Sequence, residues 1–192
     1  RLGTATKTGS RKKTRNGECA QLRRSGKVDS RINEDDVLIS VQFYAGDDDI
    51  LVARRFGKCI RFKEADVRPM GRDTTGVRAI SLSEGDEAVD MIVLREGAEI
   101  LTVTENGYGK RTDLDEYRIT NRGGKGVKTI NITEKTGDLI SIQAVTDEND
   151  LMIINRSGLT IRTAVSQIRV AGRATQGVRI INLREGDAIA SV

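Results

Sequence analysis

Cations, not nucleophiles, hold the recurring positions of this chain. It has no histidine, so neither a Ser–His nor a Cys–His pair can activate a nucleophile. A thiolate–imidazole metal site is excluded for the same reason. The two cysteines, Cys19 and Cys59, form no CxxC pair and read as free thiols in a reducing compartment. Tyr44, Tyr108 and Tyr117 carry hydroxyls able to attack a phosphodiester, yet no acid or metal cluster accompanies them at matching places. The segment Arg122-Gly123-Gly124-Lys125-Gly126 has the composition of a phosphate cradle. It lacks the GxxxxGK[ST] spacing of a nucleotide P-loop, because Lys125 is followed by glycine. What remains is binding chemistry: no catalytic residue, metal ligand or cofactor is expected in this chain.

The cations recur with a beat of about fifty residues. An apolar run, a glycine turn and a basic residue four positions later make one pattern. Its clearest copies are Ile50–Arg61, Ile100–Arg111 and Leu151–Arg162, with a weaker one at Leu2–Lys13. The turn glycines Gly9, Gly57, Gly107 and Gly158 are 48, 50 and 51 residues apart. A second pattern keeps the same time: Gly71-Arg72…Gly76-Val-Arg78, Asn121-Arg122…Gly126-Val-Lys128 and Gly172-Arg173…Gly177-Val-Arg179, with a degenerate form at Arg23–Val28. Ten residues after Gly26, Gly76 and Gly177 stands an acid, Asp36, Asp86 or Asp187. In the third copy Asp138 comes twelve after Gly126, as if two residues had been inserted.

These beats must be positioned by strands. The core is built from Val, Ile and Leu, since aromatics are only 3% of the 192 residues and Trp is absent. One proline and twenty glycines point to tight turns between ordered elements. Ile50–Ala53 and Leu151–Ile154 are short runs rich in β-branched residues, and Asn106-Gly107 and Ser157-Gly158 are hairpin dipeptides. Each unit therefore holds about four short antiparallel strands, the size of a propeller blade. One blade cannot bury its apolar face alone, so the units pack side by side. The expected fold is all-β, a propeller-like array of about four blades forming one repeat domain over 1–192. Its units fall near 1–49, 50–99, 100–150 and 151–192. The connectors Asp66–Arg68 and Leu114–Tyr117 read as a helical turn or a loop.

Equivalent positions in a ring of blades fall on equivalent faces. The net charge of only +4, from 32 basic and 28 acidic residues, thereby becomes a patterned surface. The basic set after the first turn is Lys13, Arg61, Lys110, Arg111 and Arg162. Around the second pattern it is Arg72, Arg78, Arg122, Lys125, Arg173 and Arg179, with Gly123 and Gly124 expected to bring backbone N–H groups close to a phosphate. Acids gather at the seams between units. A basic band of this kind suits duplex DNA. It neutralises phosphates and helps to offset bending, with weak sequence specificity because repeated arginines cannot encode a base order. Charges at single turns also serve simply to solvate them, and RGGKG is equally the composition of a tight turn. Three Phe and three Tyr are too few for a single-strand stacking platform. No apolar run approaches the ~18 residues of a membrane span, and no signal peptide is visible. A cytoplasmic setting is expected. The chain opens at Arg1 without Met, as expected of a piece of a longer protein.

Several stretches resemble the C-terminal domain of DNA gyrase A, the β-pinwheel. They are Ile60-Arg61-Phe62 with Val67–Arg72 and Gly76-Val77; Thr104–Thr112; Glu116-Tyr117-Arg118 through Arg122–Gly126; and Gly172-Arg173 through Gly177–Arg179. The resemblance covers essentially the whole chain and is strongest from Asp35 onward. It implies a truncated part of a ring of about six blades, with strands exchanged between neighbours and DNA wrapped on a basic rim. It also implies a parent type II topoisomerase that hydrolyses ATP with Mg, pairs a gyrase A catalytic core with gyrase B, and supercoils DNA negatively. By the same resemblance the family's catalytic tyrosine lies outside this chain. The family's QRRGGKG box is degenerate here, as Asn121–Gly126, so the missing blades and an intact box are expected before Arg1. The equivalent domain of topoisomerase IV and a protein-binding propeller scaffold are the alternatives.

Overall fold

The second unit begins with an unbroken apolar run, Ile50–Ala53, and the fold explains why both of its faces are hidden. The computed structural model describes residues 2–14, 36, 38–43, 48–70 and 76–192. Within them, β1 (Leu2–Thr6), β4 (Asp49–Arg54), β8 (Glu99–Thr104) and β12 (Asp150–Asn155) each open a unit. Each turns back through a glycine hairpin into β2 (Ser10–Thr14), β5 (Lys58–Lys63), β9 (Tyr108–Asp113) or β13 (Thr160–Ala164). Gly9, Gly57, Gly107 and Gly158 sit in these hairpins with φ between +84° and +89°, a conformation that glycine adopts without a Cβ penalty. On the other side of each opening strand lies β3 (Leu38–Phe43), β7 (Ala88–Leu94), β11 (Leu139–Val145) or β15 (Ile189–Ser191), also antiparallel.

The fourth strand of a sheet comes from the following unit. The two-residue strands β6 (Val77–Arg78), β10 (Val127–Lys128) and β14 (Val178–Arg179) pair with β2, β5 and β9. The orders are β3-β1-β2-β6, β10-β5-β4-β7, β11-β8-β9-β14 and, with three strands, β13-β12-β15. This is the expected all-β pinwheel of short antiparallel blades, and each exchanged strand ties one blade to the next.

Close backbone approach enforces the Gly-Val-basic pattern. A Cβ on Gly76, Gly126 or Gly177 would lie 2.5, 2.3 or 2.6 Å from the carbonyl oxygen of Arg11, Cys59 or Gly109 on the receiving strand. No side chain fits there, and all three glycines hold positive φ.

The core lies between blades. Ile50, Val52, Ile60 and Phe62 pack backward with Ala5 and Met91, while Leu51, Ala53 and Cys59 pack forward with Ile100, Tyr117 and Leu139. A third cluster joins Leu101 and Val103 to Leu151, Ile153 and Val165. Residues of β4 alternate between two cores, which is why that strand reads as one unbroken apolar run. β12 has only one face so covered: Leu151 and Ile153 are buried, while Met152 and Ile154 are 53% and 38% exposed.

The seam acids are hairpin fasteners. Asp36, Asp86 and Asp187 accept the backbone N–H of Thr8, Phe56 and Ser157, the residue before each turn glycine. In the third blade the longer connection replaces the carboxylate with a main-chain carbonyl, Thr136 O, which accepts Asn106 N–H at 3.0 Å. That is the physical meaning of the two extra residues before Asp138.

Candidate nucleic-acid interface

Three of the cations after the first turn, Arg61, Lys110 and Arg111, are spent inside the protein. Arg61 donates to Asp49 Oδ2 at 2.9 and 2.6 Å, and its third nitrogen reaches the carbonyls of Leu114 and Tyr117 in the next unit at 3.1 and 3.0 Å. Arg111 repeats the arrangement with Glu99, Asp147 and Ile168 O. These guanidinium groups are 14% and 8% exposed. Lys110 is fully buried, and its Nζ donates to Gly172 O, Arg173 O and Thr175 O at 2.6–2.8 Å and to Thr175 Oγ1 at 3.1 Å. Burial pushes its ammonium down to about 8, opposed by Glu116 and assisted by Arg173. An outward-facing band that includes Arg61, Lys110 and Arg111 is therefore corrected: these three rivet one blade to the next. Arg162 keeps the same acid partner, Asp150, but stays exposed. Lys13 lies in β2 opposite Gly3, with its side chain outside the described residues, and Arg72 lies outside them altogether.

Most of the described cations of the second pattern point outward. Arg78, Lys128 and Arg179 end the three exchanged strands and are all exposed. The next loop lays a further arginine across the backbone of each of the first two. Arg122 donates to Arg78 O at 3.0 Å and Asp66 O at 3.2 Å. Arg173 donates to Lys128 O and to Glu116 O. Arg122 therefore sits beside Arg78, and Arg173 beside Lys128, at successive blade junctions. Lys125 is exposed in the first of these loops. Arg179 is braced differently, donating to the Tyr108 hydroxyl at 3.1 Å while lying over its ring, with Lys135 over the same ring. That hydrogen bond and the adjacent positive charge hold the Tyr108 phenol below its ordinary range.

Gly123 and Gly124 do a different job from the one composition suggests. The Gly123 N–H is spent on Ala79 O at 2.6 Å, and Gly124 O accepts from Ser81 N. Gly123 needs its φ of +86°, and Gly124 lets the loop settle on Ile60, whose Cδ1 is 3.4 Å from where a Cβ would stand. These glycines pin the loop, and the cationic side chains are what it presents.

Among the exposed cations missing from the sequence-derived set are Lys128, Arg118 and Arg169. Lys128 matches Arg78 and Arg179 in the Gly-Val-basic pattern, so that signal was available. Arg118 and Arg169 also match each other by repeat position. They edge two equivalent clefts of about 380 and 390 Å³, one lined by Ile60, Asn121 and Lys125 and the other by Lys110, Val170 and Gln176.

Two of the described nucleophiles, Tyr117 and Cys59, are withdrawn from this surface, whereas the Tyr108 hydroxyl meets it at Arg179. Tyr117 is buried, shares a 2.5 Å hydrogen bond with Thr129 Oγ1, and has its phenol pushed up by burial. The buried Cys59 thiol is pushed up to about 12 for the same reason. Cys19 and Tyr44 lie outside the described residues. Among the described residues no His/Cys/Asp/Glu group is placed to hold a metal, and no helix is long and apolar enough to cross a membrane.

The likeness to known proteins runs along the same repeats. A family model described as DNA gyrase C-terminal domain, beta-propeller, matches residues 48–95, 98–146 and 149–192. DNA gyrase A of Staphylococcus aureus strain MRSA252 is 45% identical over 190 residues. That match covers 98% of this chain and 21% of the relative, so the chain spans about a fifth of that protein's length. A solved DNA gyrase A C-terminal domain superposes with a TM-score of 0.89 at 24% identity, covering 99% of this chain and 64% of the other. The C-terminal domain of a DNA topoisomerase IV gives 0.92 at 21% identity, covering 99% and 60%. At those identities the two structures speak to the fold alone. With its exchanged strands and three matched repeats, the chain belongs to the DNA gyrase C-terminal domain, beta-propeller family.

Proposed function

We propose that this chain binds duplex DNA along the outward cations of its exchanged strands and loops, bends it, and serves as the wrapping module of a gyrase-type topoisomerase. The observation that carries this reading is the register of cations at successive blade junctions: the exposed Arg78 with Arg122, the exposed Lys128 with the half-buried Arg173, then the exposed Arg179. Positive groups at a regular spacing on a rigid array match a polymer of regularly spaced phosphates, and they position without reading sequence. Gly123, Gly124 and Lys125 shape the first of these loops, and Arg162 extends the exposed set. Arg72 belongs to it by repeat position with Arg122 and Arg173, and Lys13 shares the repeat position of Arg162 but also that of the inward Arg61 and Arg111.

In the parent enzyme the module would act with a gyrase A catalytic core and gyrase B in the cytoplasm, in support of ATP-dependent negative supercoiling. ATP and Mg would be handled there and not by this chain, and the attacking tyrosine would likewise lie elsewhere. Topoisomerase IV is the second reading, favoured by its equally good fold match. The 45% identity to DNA gyrase A favours the first.

The test is a mobility shift of a random-sequence duplex across a salt series. A band making ~6–10 phosphate contacts loses ~10³–10⁵ in affinity between 50 and 200 mM salt. Arg122→Ala with Arg173→Ala should weaken binding on every sequence alike and reduce the slope of log affinity against log salt by about 2. A salt-insensitive interaction, or none at 50 mM, would favour a protein-binding scaffold instead.

A further inference from the structure

Six large apolar side chains are exposed among the described residues: Phe56, Ile119, Met152, Ile154, Leu159 and Val170. Four have local accounts. Met152, Ile154 and Leu159 belong to the last sheet and its hairpin, and Phe56 lies on its turn beneath the guanidinium of Arg55. The other two, Ile119 and Val170, are repeat equivalents, 47% and 50% exposed. The second unit has the exposed Pro69 at the same place. A side chain that is apolar, exposed and in register in three units is not filling a core.

Ile119 and Val170 each stand on a locked backbone. Ile119 bridges Arg61 and Val170 bridges Arg111, both in parallel. Thr120 N–H and Ala171 N–H donate to the carbonyls of Arg61 and Arg111 at 2.8 Å, and Arg111 N–H donates back to Arg169 O. Beneath, the buried guanidinium groups hold Tyr117 O and Ile168 O. The side chains are themselves stiff, since branching at Cβ restricts χ1. Each follows an exposed arginine, Arg118 or Arg169, and stands three residues before Arg122 or Arg173. A rigid aliphatic tip among cations suits a surface that is negative at its edges and offers apolar base faces once a step is opened, as the minor groove of duplex DNA does.

We propose that Ile119 and Val170, with Pro69 in the second unit, are wedges that press into the minor groove of the bound duplex. Each opens one base step, so that the bend is concentrated in kinks one blade apart. This rests on the DNA-binding reading above and adds how the duplex is deformed and which sequences deform most easily. Flexible TA and CA steps should be favoured at the wedge positions, and stiff A-tracts disfavoured.

The test uses the full 192-residue chain with end-labelled duplexes of about 25 bp, short enough for energy transfer between the ends to register a bend. Bending is read by energy transfer between the ends, local unstacking by 2-aminopurine placed at a TA step, and affinity separately across salt. In Ile119→Ser with Val170→Ser, end-to-end transfer should fall by about half and the 2-aminopurine signal should fall to what the remaining Pro69 wedge supports. Affinity should drop by less than about threefold with the salt slope unchanged, because no phosphate contact is removed. Ile119→Leu with Val170→Leu should restore the bend. An equal bend in the serine variant, or a wild-type chain that binds the duplex without bending it, overturns the wedge and leaves DNA binding standing. A wild-type chain that does not bind at 50 mM salt removes the reading beneath it as well.

Discussion

Two loops do the same work with different anchors. Residues 121–126 and 172–177 each leave a blade, cross the junction behind them and lay an arginine on the previous exchanged strand. The second loop is drawn around the ammonium of Lys110, whose hydrogen bonds collect three of its carbonyls. The first has Ile60 at the matching place and settles on it through Gly124, with Gly123 N–H clipped to Ala79 O. An internal cation in one repeat is thus replaced by an aliphatic side chain and a pair of glycines in the next. The Gly-Gly pair, which looks from composition like a phosphate cradle, answers a packing problem. What the two loops share is the outward arginine, whatever anchors it below.

The largest effect should come from the seat common to both loops. Gly126→Ala places a Cβ 2.3 Å from Cys59 O at φ +80°, which unseats β10 from β5. A loss of ~3 kcal/mol or more is expected, from a backbone clash added to left-handed strain, read as a shift in the urea midpoint. Gly177→Ala should behave alike, since Gly109 O lies 2.6 Å away. A mild result at either site would mean that the strand exchange is not tightly seated.

The next two substitutions separate the anchors. Gly123→Ala meets only Arg78 O at 3.8 Å, so its cost is that of the positive φ alone, ~1–2 kcal/mol. Lys110→Met removes the donor of several loop carbonyls and at the same time relieves a buried charge, for a net loss of ~1 kcal/mol at neutral pH. It should also speed amide exchange across 172–177 while leaving 121–126 unchanged. Equal acceleration in both loops would erase the contrast between their anchors.

The smallest effect is in the pH profile. The Lys110 ammonium titrates near 8 in the folded chain, below its ordinary 10.5. Between those values the unfolded chain binds the extra proton, so stability rises with pH across that window. The rise should vanish in Lys110→Met. Asp90 gives the opposite case. Burial raises its carboxyl from 3.8 to about 6, against the backbone N–H groups of Ile142 and Met91. The folded chain then holds the extra proton, and stability falls as pH climbs from about 4 to 6. Asp90→Asn should flatten that descent, as read by thermal melts across pH.

The repeat beat, the glycine hairpins and the Gly-Val-basic pattern were legible because local chemistry imposes them. A hairpin needs positive φ at Gly57 and Gly107, and an exchanged strand needs a residue without Cβ at Gly76, Gly126 and Gly177. Both leave a mark at constant spacing. The unbroken run Ile50–Ala53 likewise announces a strand with two hidden faces. Which cations face solvent left no such mark. Arg61 and Arg78 both recur in register, and only one of them is outward. The difference lies in the carbonyls of Leu114 and Tyr117, more than fifty residues from Arg61 in sequence and brought to it by blade packing. Sequence alone determines what a short stretch of backbone must do, since sterics act over a few residues. The side on which a long charged side chain ends depends on partners that only the folded array assembles.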